Sequence, residues 1–171
     1  MKNKFGFILV RPQLGENIGA SARSIKNFGF KKLSIVAPKF NFPNHKAKTT
    51  SVGAFDVINK TKVFSSIDKA VEEFNIVISL SARKRDINKK NINFEDLYKL
   101  LNTRKNLKFG FMFGPEASGL SNYDLSFSNY ILQIPTSKKF KSLNLSHSVT
   151  IICLKFLNFL MMYFLKKNQK I

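Results

Sequence analysis

Five short apolar runs, each closed by glycine, proline or a small polar cluster, constrain this chain most. They are Phe5–Val10, Lys32–Val36, residues 75–80, Phe109–Phe113 and residues 130–134. Their β-branched and aromatic residues are packed too densely for one wet face, so they read as strands buried on both sides. Between them lie segments of helical period. Residues 67–74 place Ile67, Ala70, Val71 and Phe74 on one face, and residues 94–105 do the same with Phe94, Leu97, Leu100 and Leu101. A loop is expected over 39–50, a brief strand at Lys62–Phe64, short helices within 51–59 and around 122–127, and a long last helix beginning within 142–146. Strands alternating with helices predict an α/β fold with a mostly parallel sheet and flanking helices.

At 171 residues the chain is expected to form one domain, residues 1–171, with room for a sizeable core. Phenylalanine (18) takes the place of tryptophan (none) as the large core filler. Cys153 is the only cysteine, so no internal disulfide can form and a reducing, cytoplasmic compartment is expected. The N-terminal apolar run is too short for a secretory signal and lacks a cleavage site.

A net charge of +19 points to a polyanionic partner. Lysine, asparagine, isoleucine and phenylalanine are all abundant, as composition bias alone would produce, so the arginines carry more information. Only five of 29 basic residues are arginine, and four of these, Arg11, Arg23, Arg83 and Arg85, fall after predicted strands or on the first helix. There a planar, forked donor is hard to replace with lysine.

The exit from the first run is the most particular stretch: Arg11-Pro-Gln-Leu-Gly-Glu-Asn-Ile-Gly-Ala-Ser-Ala-Arg23-Ser-Ile-Lys-Asn-Phe-Gly29. Pro12 and Gly15 stop the strand. A helix is expected from about Asn17 or Ile18, with Asn17 as N-cap and Gly29 just past the end. Ala20, Ser21, Ala22 and Ser24 keep its first turns narrow enough to lie against another backbone. A strand, a glycine loop and a helix start make a site for an anion.

No glycine-rich dinucleotide fingerprint, phosphate-binding loop or His-Glu-x-x-His occurs, and no ligand cluster suggests a metal. Three loops of small residues remain, each after a buried strand: 81–86, 114–120 and 134–144. In open parallel sheets such strand ends form the ligand crevice. Glu116 could brace its loop through backbone amides or contact a cationic ligand. Ser142 and Asn144 could cap the last helix or act in the site. That helix is polar only at Lys155 and Asn158 between 151 and 165, close to the length of a membrane span. A lysine near the middle would cost about 2.5–3.5 kcal/mol on insertion. Burial between its own sheet and a partner subunit is the expectation, with no membrane.

Asn17-Ile-Gly-Ala-Ser-Ala-Arg23 with Asn27-Phe-Gly29, then Phe113-Gly-Pro-Glu-Ala-Ser-Gly-Leu120, then Ile134-Pro135 with Ser142-Leu-Asn-Leu-Ser146, resemble the three ordered motifs of the SpoU (TrmH-like) branch of the SPOUT methyltransferases. The loop Ser81-Ala-Arg-Lys-Arg85 and the spacing are most similar to the TrmJ type. The resemblance implies a C-terminal trefoil knot, which general topology rules would not suggest. It also implies a homodimer with the first and last helices at or near the interface. The implied reaction is methyl transfer from S-adenosyl-L-methionine to a ribose 2′-oxygen of RNA, at nucleotide 32 of the tRNA anticodon loop. Alternatives are another tRNA position, ribosomal RNA, or a basic RNA-binding protein that kept the fold without catalysis.

By position, the resemblance puts the cofactor against Leu80, Ser81, Ala82, Gly114, Ile134, Lys141, Ser142 and Leu143. It assigns catalysis to Arg23, Ser142 and Asn144. Arg11, Asn17, Arg83, Arg85, Glu116, Lys138 and Lys139 are left to hold RNA or brace the site. Arg23 cannot be an ordinary general base, because guanidinium stays protonated at any working pH. It can hold a phosphate and stabilise a developing alkoxide. The cofactor carries no phosphate, so the stretch from Arg11 to Gly29 is expected to face RNA. The sequence departs from the pattern at Pro115, where many relatives carry arginine, and at Ser146-His147.

Overall fold

β1 (Phe5–Val10) is buried at all six positions and lies near the middle of the sheet. The computed structural model describes residues 2–83 and 87–168. β1 is flanked by β2 (Lys32–Val36) on one side and β6 (Phe109–Phe113) on the other, both parallel to it. β3 (Lys62–Phe64) extends the sheet beyond β2. Beyond β6 come β4 (Ile76–Leu80), β7 (Tyr130–Leu132) and β5 (Lys90–Ile92). The order is β3-β2-β1-β6-β4-β7-β5, with every pairing parallel among the described residues.

Helices cover both faces, as a sheet with apolar residues on each side requires. One face carries Phe5, Phe7, Leu9, Ile78 and Phe111. It is covered by α1 (Gly15–Asn27), α2 (His45–Thr50), α3 (Phe55–Asn59), α5 (Phe94–Thr103) and α7 (Leu145–Asn168). The other face carries Ile8, Val10, Val77 and Met112 and is covered by α4 (Ile67–Val71) and α6 (Asn122–Ser126). Phenylalanine does fill the large core positions. Phe156 of α7 stacks on Phe5 at 4.9 Å and meets Phe111 at 4.5 Å between ring centroids. On the opposite face Gly6 and Gly110 are direct partners in β1 and β6, and the Phe74 ring fills the slot they leave.

Three elements differ from the sequence reading: α2, capped by Asn44 at the end of a stretch read as loop, then β5 and the start of α1. β5 has a Lys-Asn-Ile sequence with no apolar run, and as an edge strand it needs none. α7 begins at Leu145, inside the expected 142–146, because the Asn144 side chain accepts the Ser146 amide at 2.8 Å and sets the start there. α1 begins at Gly15, one half turn before the expected start, and Asn17 is not its cap. Its far end is as expected. Gly29 has φ +75°, and the Phe30 and Gly29 amides donate to the Ile25 and Lys26 carbonyls, which closes the helix in a Schellman arrangement.

α1 lies between α2 and α7. Gly19 lets α2 approach so closely that a side-chain carbon there would meet the Ala47 carbonyl and the Ser51 amide. On the other side Ser24 shares a hydrogen bond of 2.6 Å with Thr150 of α7. α7 buries Val149, Ile152, Cys153, Phe156, Phe159 and Leu160 and exposes Leu154, Met161, Met162 and Leu165. By length and composition its Leu145–Tyr163 stretch could cross a membrane, yet one side of it is built into this core. Lys155 sets its ammonium 5.1 Å from the centre of the Phe94 ring on α5.

Candidate active site

The loops after β4, β6 and β7 enclose one pocket of about 310 Å³ at the carboxyl ends of the strands. Leu80, Ser81 and Ala82 form one wall, Gly114 and the loop to Leu120 a second, and Ile134 with Lys141, Ser142 and Leu143 a third. The eight residues assigned to the cofactor by position therefore line a single cavity. Small residues dominate because backbones must come close: at Gly114 a side-chain carbon would strike the Gly119–Leu120 backbone. The first wall is shaped locally. The Ser81 hydroxyl donates to the Arg83 carbonyl at 2.9 Å, and the Gln133 amide donates to the Ala82 carbonyl at 3.2 Å, tying the first wall to the third.

Glu116 connects this pocket to α1. Its carboxylate accepts the Gln13 amide at 2.8 Å, the Leu14 amide at 3.4 Å and the Asn17 side-chain amide at 2.7 Å. Gln13 returns a bond through its side-chain oxygen, which accepts the Ala117 amide at 3.0 Å. Of its two possible roles, Glu116 takes loop bracing, and a negative charge at the helix start suits the dipole there. Asn17 consequently has a different job from capping. Its oxygen accepts the Asn144 side-chain amide at 3.0 Å, while the Asn144 oxygen accepts both the amide and the hydroxyl of Ser146. Glu116, Asn17 and Asn144 form a continuous bridge from the second loop, through α1, to the start of α7.

Asn144 thus caps α7 and braces α1, and it does not line the pocket. Ser142 does line it, is exposed, and has no hydrogen-bond partner for its hydroxyl among the described residues. Arg23 is exposed on α1, has no partner among the described residues and lies outside the pocket wall. It stands six residues beyond Asn17, roughly 9 Å along the helix axis. Arg11 has a bracing role: with φ +46° it turns back so that its guanidinium pairs with the buried Asp124 carboxylate.

Burial works to raise the Asp124 pKa, but the Arg11 guanidinium and the Ser121 amide and hydroxyl outweigh it and hold the carboxyl below its usual range. Asp124 is the main residue that sequence reading missed. Its only sequence signal is the Ser121-x-x-Asp124 spacing of a capping box, which says nothing of Arg11.

Arg83 is exposed at the pocket rim, and Lys138 and Lys139 are exposed in the irregular segment after β7. Arg85 lies outside the described residues. No group of three or more metal-ligating side chains occurs among the described residues.

Residues 4–154 match the model of the SpoU rRNA Methylase family. A curated relative, the tRNA (cytidine-2′-O-)-methyltransferase TrmJ of Methanocaldococcus jannaschii, is 36% identical over 149 residues, covering 85% of this chain and 64% of the relative. The crystal structure of TrmJ from Z. mobilis ZM4 superposes with a TM-score of 0.84 at 34% identity, covering 90% of this chain and 69% of that one. The SpoU methyltransferase AviRb from Streptomyces viridochromogenes, solved in complex with AdoMet, shares the fold with a TM-score of 0.72 at 18% identity. That match covers 90% of this chain and 59% of that one. The chain spans between 60% and 68% of the length of the curated relatives it matches.

Proposed function

The chain belongs to the SpoU rRNA methylase family, and from that membership we propose that it transfers a methyl group from S-adenosyl-L-methionine to a ribose 2′-hydroxyl of tRNA. The observation that carries the reading is the single pocket at the strand ends, lined by all eight residues at the family's cofactor positions. The fit is chemical as well as positional. About 310 Å³ is within the range of small-molecule sites, roughly 300–1,000 Å³. Leu80, Ile134 and Leu143 offer apolar walls, and the small-residue loops bring backbone groups within reach of a purine or an amino acid. Bound there, the cofactor supplies an electrophilic methyl carried by a sulfonium.

A ribose hydroxyl is a very weak acid, so the protein must position it and stabilise the charge that develops on oxygen. Ser142, with its hydroxyl unengaged at the pocket wall, orients the ribose. Arg23 grips the phosphate next to the reacting nucleotide and offsets the growing negative charge. Because Arg23 lies outside its own pocket wall, it acts at the pocket of a second copy in a homodimer, with α1 and α7 at the interface. Asn144 holds α1 and α7 in register and is a positioning residue. Arg83, Lys138 and Lys139 supply phosphate contacts at the rim. The C-terminal knot, nucleotide 32 of the anticodon loop as target, and a cytoplasmic location belong to the same reading.

Transfer of labelled methyl groups to unmodified tRNA transcripts tests it. Arg23→Ala is expected to abolish transfer while calorimetric binding of S-adenosyl-L-methionine persists; near-normal turnover would remove Arg23 from the mechanism. Mass-spectrometric mapping of methylated riboses, with and without the gene, decides the nucleotide. Methyl groups found only in ribosomal RNA would overturn the tRNA assignment. A wild-type protein that neither binds the cofactor nor transfers methyl groups would instead be a non-catalytic RNA binder.

A further inference from the structure

We propose that Phe140 is a stacking platform for a nucleobase of the RNA substrate, beside the ribose that is methylated. The proposal rests on the methyl-transfer reading above and adds to it the group that receives a base. Phe140 is 76% exposed, and no large apolar side chain among the described residues is more so. Most phenylalanines of this chain are buried in the core or packed against it. Exposure alone would not mark the ring, since single apolar residues are common on protein surfaces, but it leaves a π face open to a flat partner.

The surroundings say which partner. The ring belongs to Lys138-Lys139-Phe140-Lys141, whose three lysines are exposed and unpaired with any carboxylate among the described residues. The same segment runs directly into the third wall of the pocket at Lys141, Ser142 and Leu143. A ring set among cations at a pocket rim suits a strand of RNA, which presents phosphates and flat bases in alternation. A second copy of this segment would bring lysine against lysine, so self-association through it is disfavoured. Stacking uses the face of a base and ignores its hydrogen-bonding edge. Phe140 therefore holds whichever base stands at its position, and the lysines fix the backbone.

The absence of tryptophan supplies a direct probe. In Phe140→Trp the new side chain is the only indole. Its emission should be quenched on titration with an unmodified tRNA transcript, but not with inorganic polyphosphate, which can engage the lysines and has no bases. Phe140→Ala should raise the KM for tRNA about 5- to 150-fold, with kcat and cofactor binding unchanged. Phe140→Leu should resemble Phe140→Ala, because an apolar side chain without a π face cannot stack.

A wild-type KM in Phe140→Ala would overturn the proposal, as would equal quenching by polyphosphate. So would a fall in sedimentation mass for Phe140→Ala, which would make the ring a subunit contact. The two readings fail separately. Wild-type methyl transfer with an unquenched Phe140→Trp protein removes the platform and leaves the enzyme. RNA-specific quenching without any methyl transfer does the reverse.

Discussion

Glu116 receives three donors from residues a hundred positions earlier in the chain. Glu116→Ala leaves the Gln13, Leu14 and Asn17 groups without their acceptor. The expected cost is about 1–3 kcal/mol of stability, read as a lower urea midpoint. Methyl transfer should fall further than that loss explains, because the start of α1 sets where Arg23 points. Asp124 gives a prediction in pH. Its folded pKa is depressed, so the Arg11–Asp124 pair contributes stability above the unfolded carboxylate pKa of about 3.9 and loses it as pH falls through the lower folded value. Urea midpoints followed from pH 6 to about pH 3 should show this limb in the wild type. In Asp124→Asn the decline should be shallower and the starting stability lower.

Among the elements, the β1–β6 pairing rests on an unusual fit. Gly6 and Gly110 sit side by side, and Phe74 occupies the space their side chains would fill. Gly6→Ala should destabilise the protein by about 1–3 kcal/mol through overpacking, and adding Phe74→Leu should recover part of it. Denaturant titration of the two variants and their combination measures the coupling. The central strands β1, β2, β4 and β6 were legible from sequence because burial on both faces leaves a nearly unbroken apolar run. β5 was not, since an edge strand can be written in lysine and asparagine. The loops that line the pocket were likewise legible as small-residue stretches after buried strands, and their individual residues from the family resemblance, whereas the bridge from Glu116 through Asn17 to Asn144 was not. Asparagine before a helical run looks like a cap, and only the folded chain shows that a carboxylate from β6's loop has taken over that end.

For the molecule as a whole, the outward side of α7 matters most. Leu154, Met161 and Leu165 recur at helical spacing and are exposed, opposite a face built into the core. We expect the protein, without detergent, to sediment at about twice its 19.5 kDa chain mass. Leu154→Glu combined with Met161→Glu should yield monomers that bind the cofactor weakly or normally but no longer transfer methyl groups, since Arg23 would have no second pocket to serve. A dimer surviving that double substitution would move the interface elsewhere. An active monomer would place Arg23 in its own chain's reaction.

The position of β1 bears on how the polypeptide can be made. Phe5 pairs with Phe109, so one edge of this wholly apolar strand waits for most of the chain to emerge from the ribosome. Until β6 arrives, that edge can pair with any other extended segment, and the N-terminal part alone is a template for aggregation. Parallel pairing across so much intervening chain also slows folding. The glycines limit the hazard, because Gly6 weakens β1 as an isolated strand and the slot that Phe74 fills is made by Gly6 and Gly110 together. Fragments ending before residue 109 should therefore collect in inclusion bodies, and the full chain should benefit from slow synthesis at low temperature.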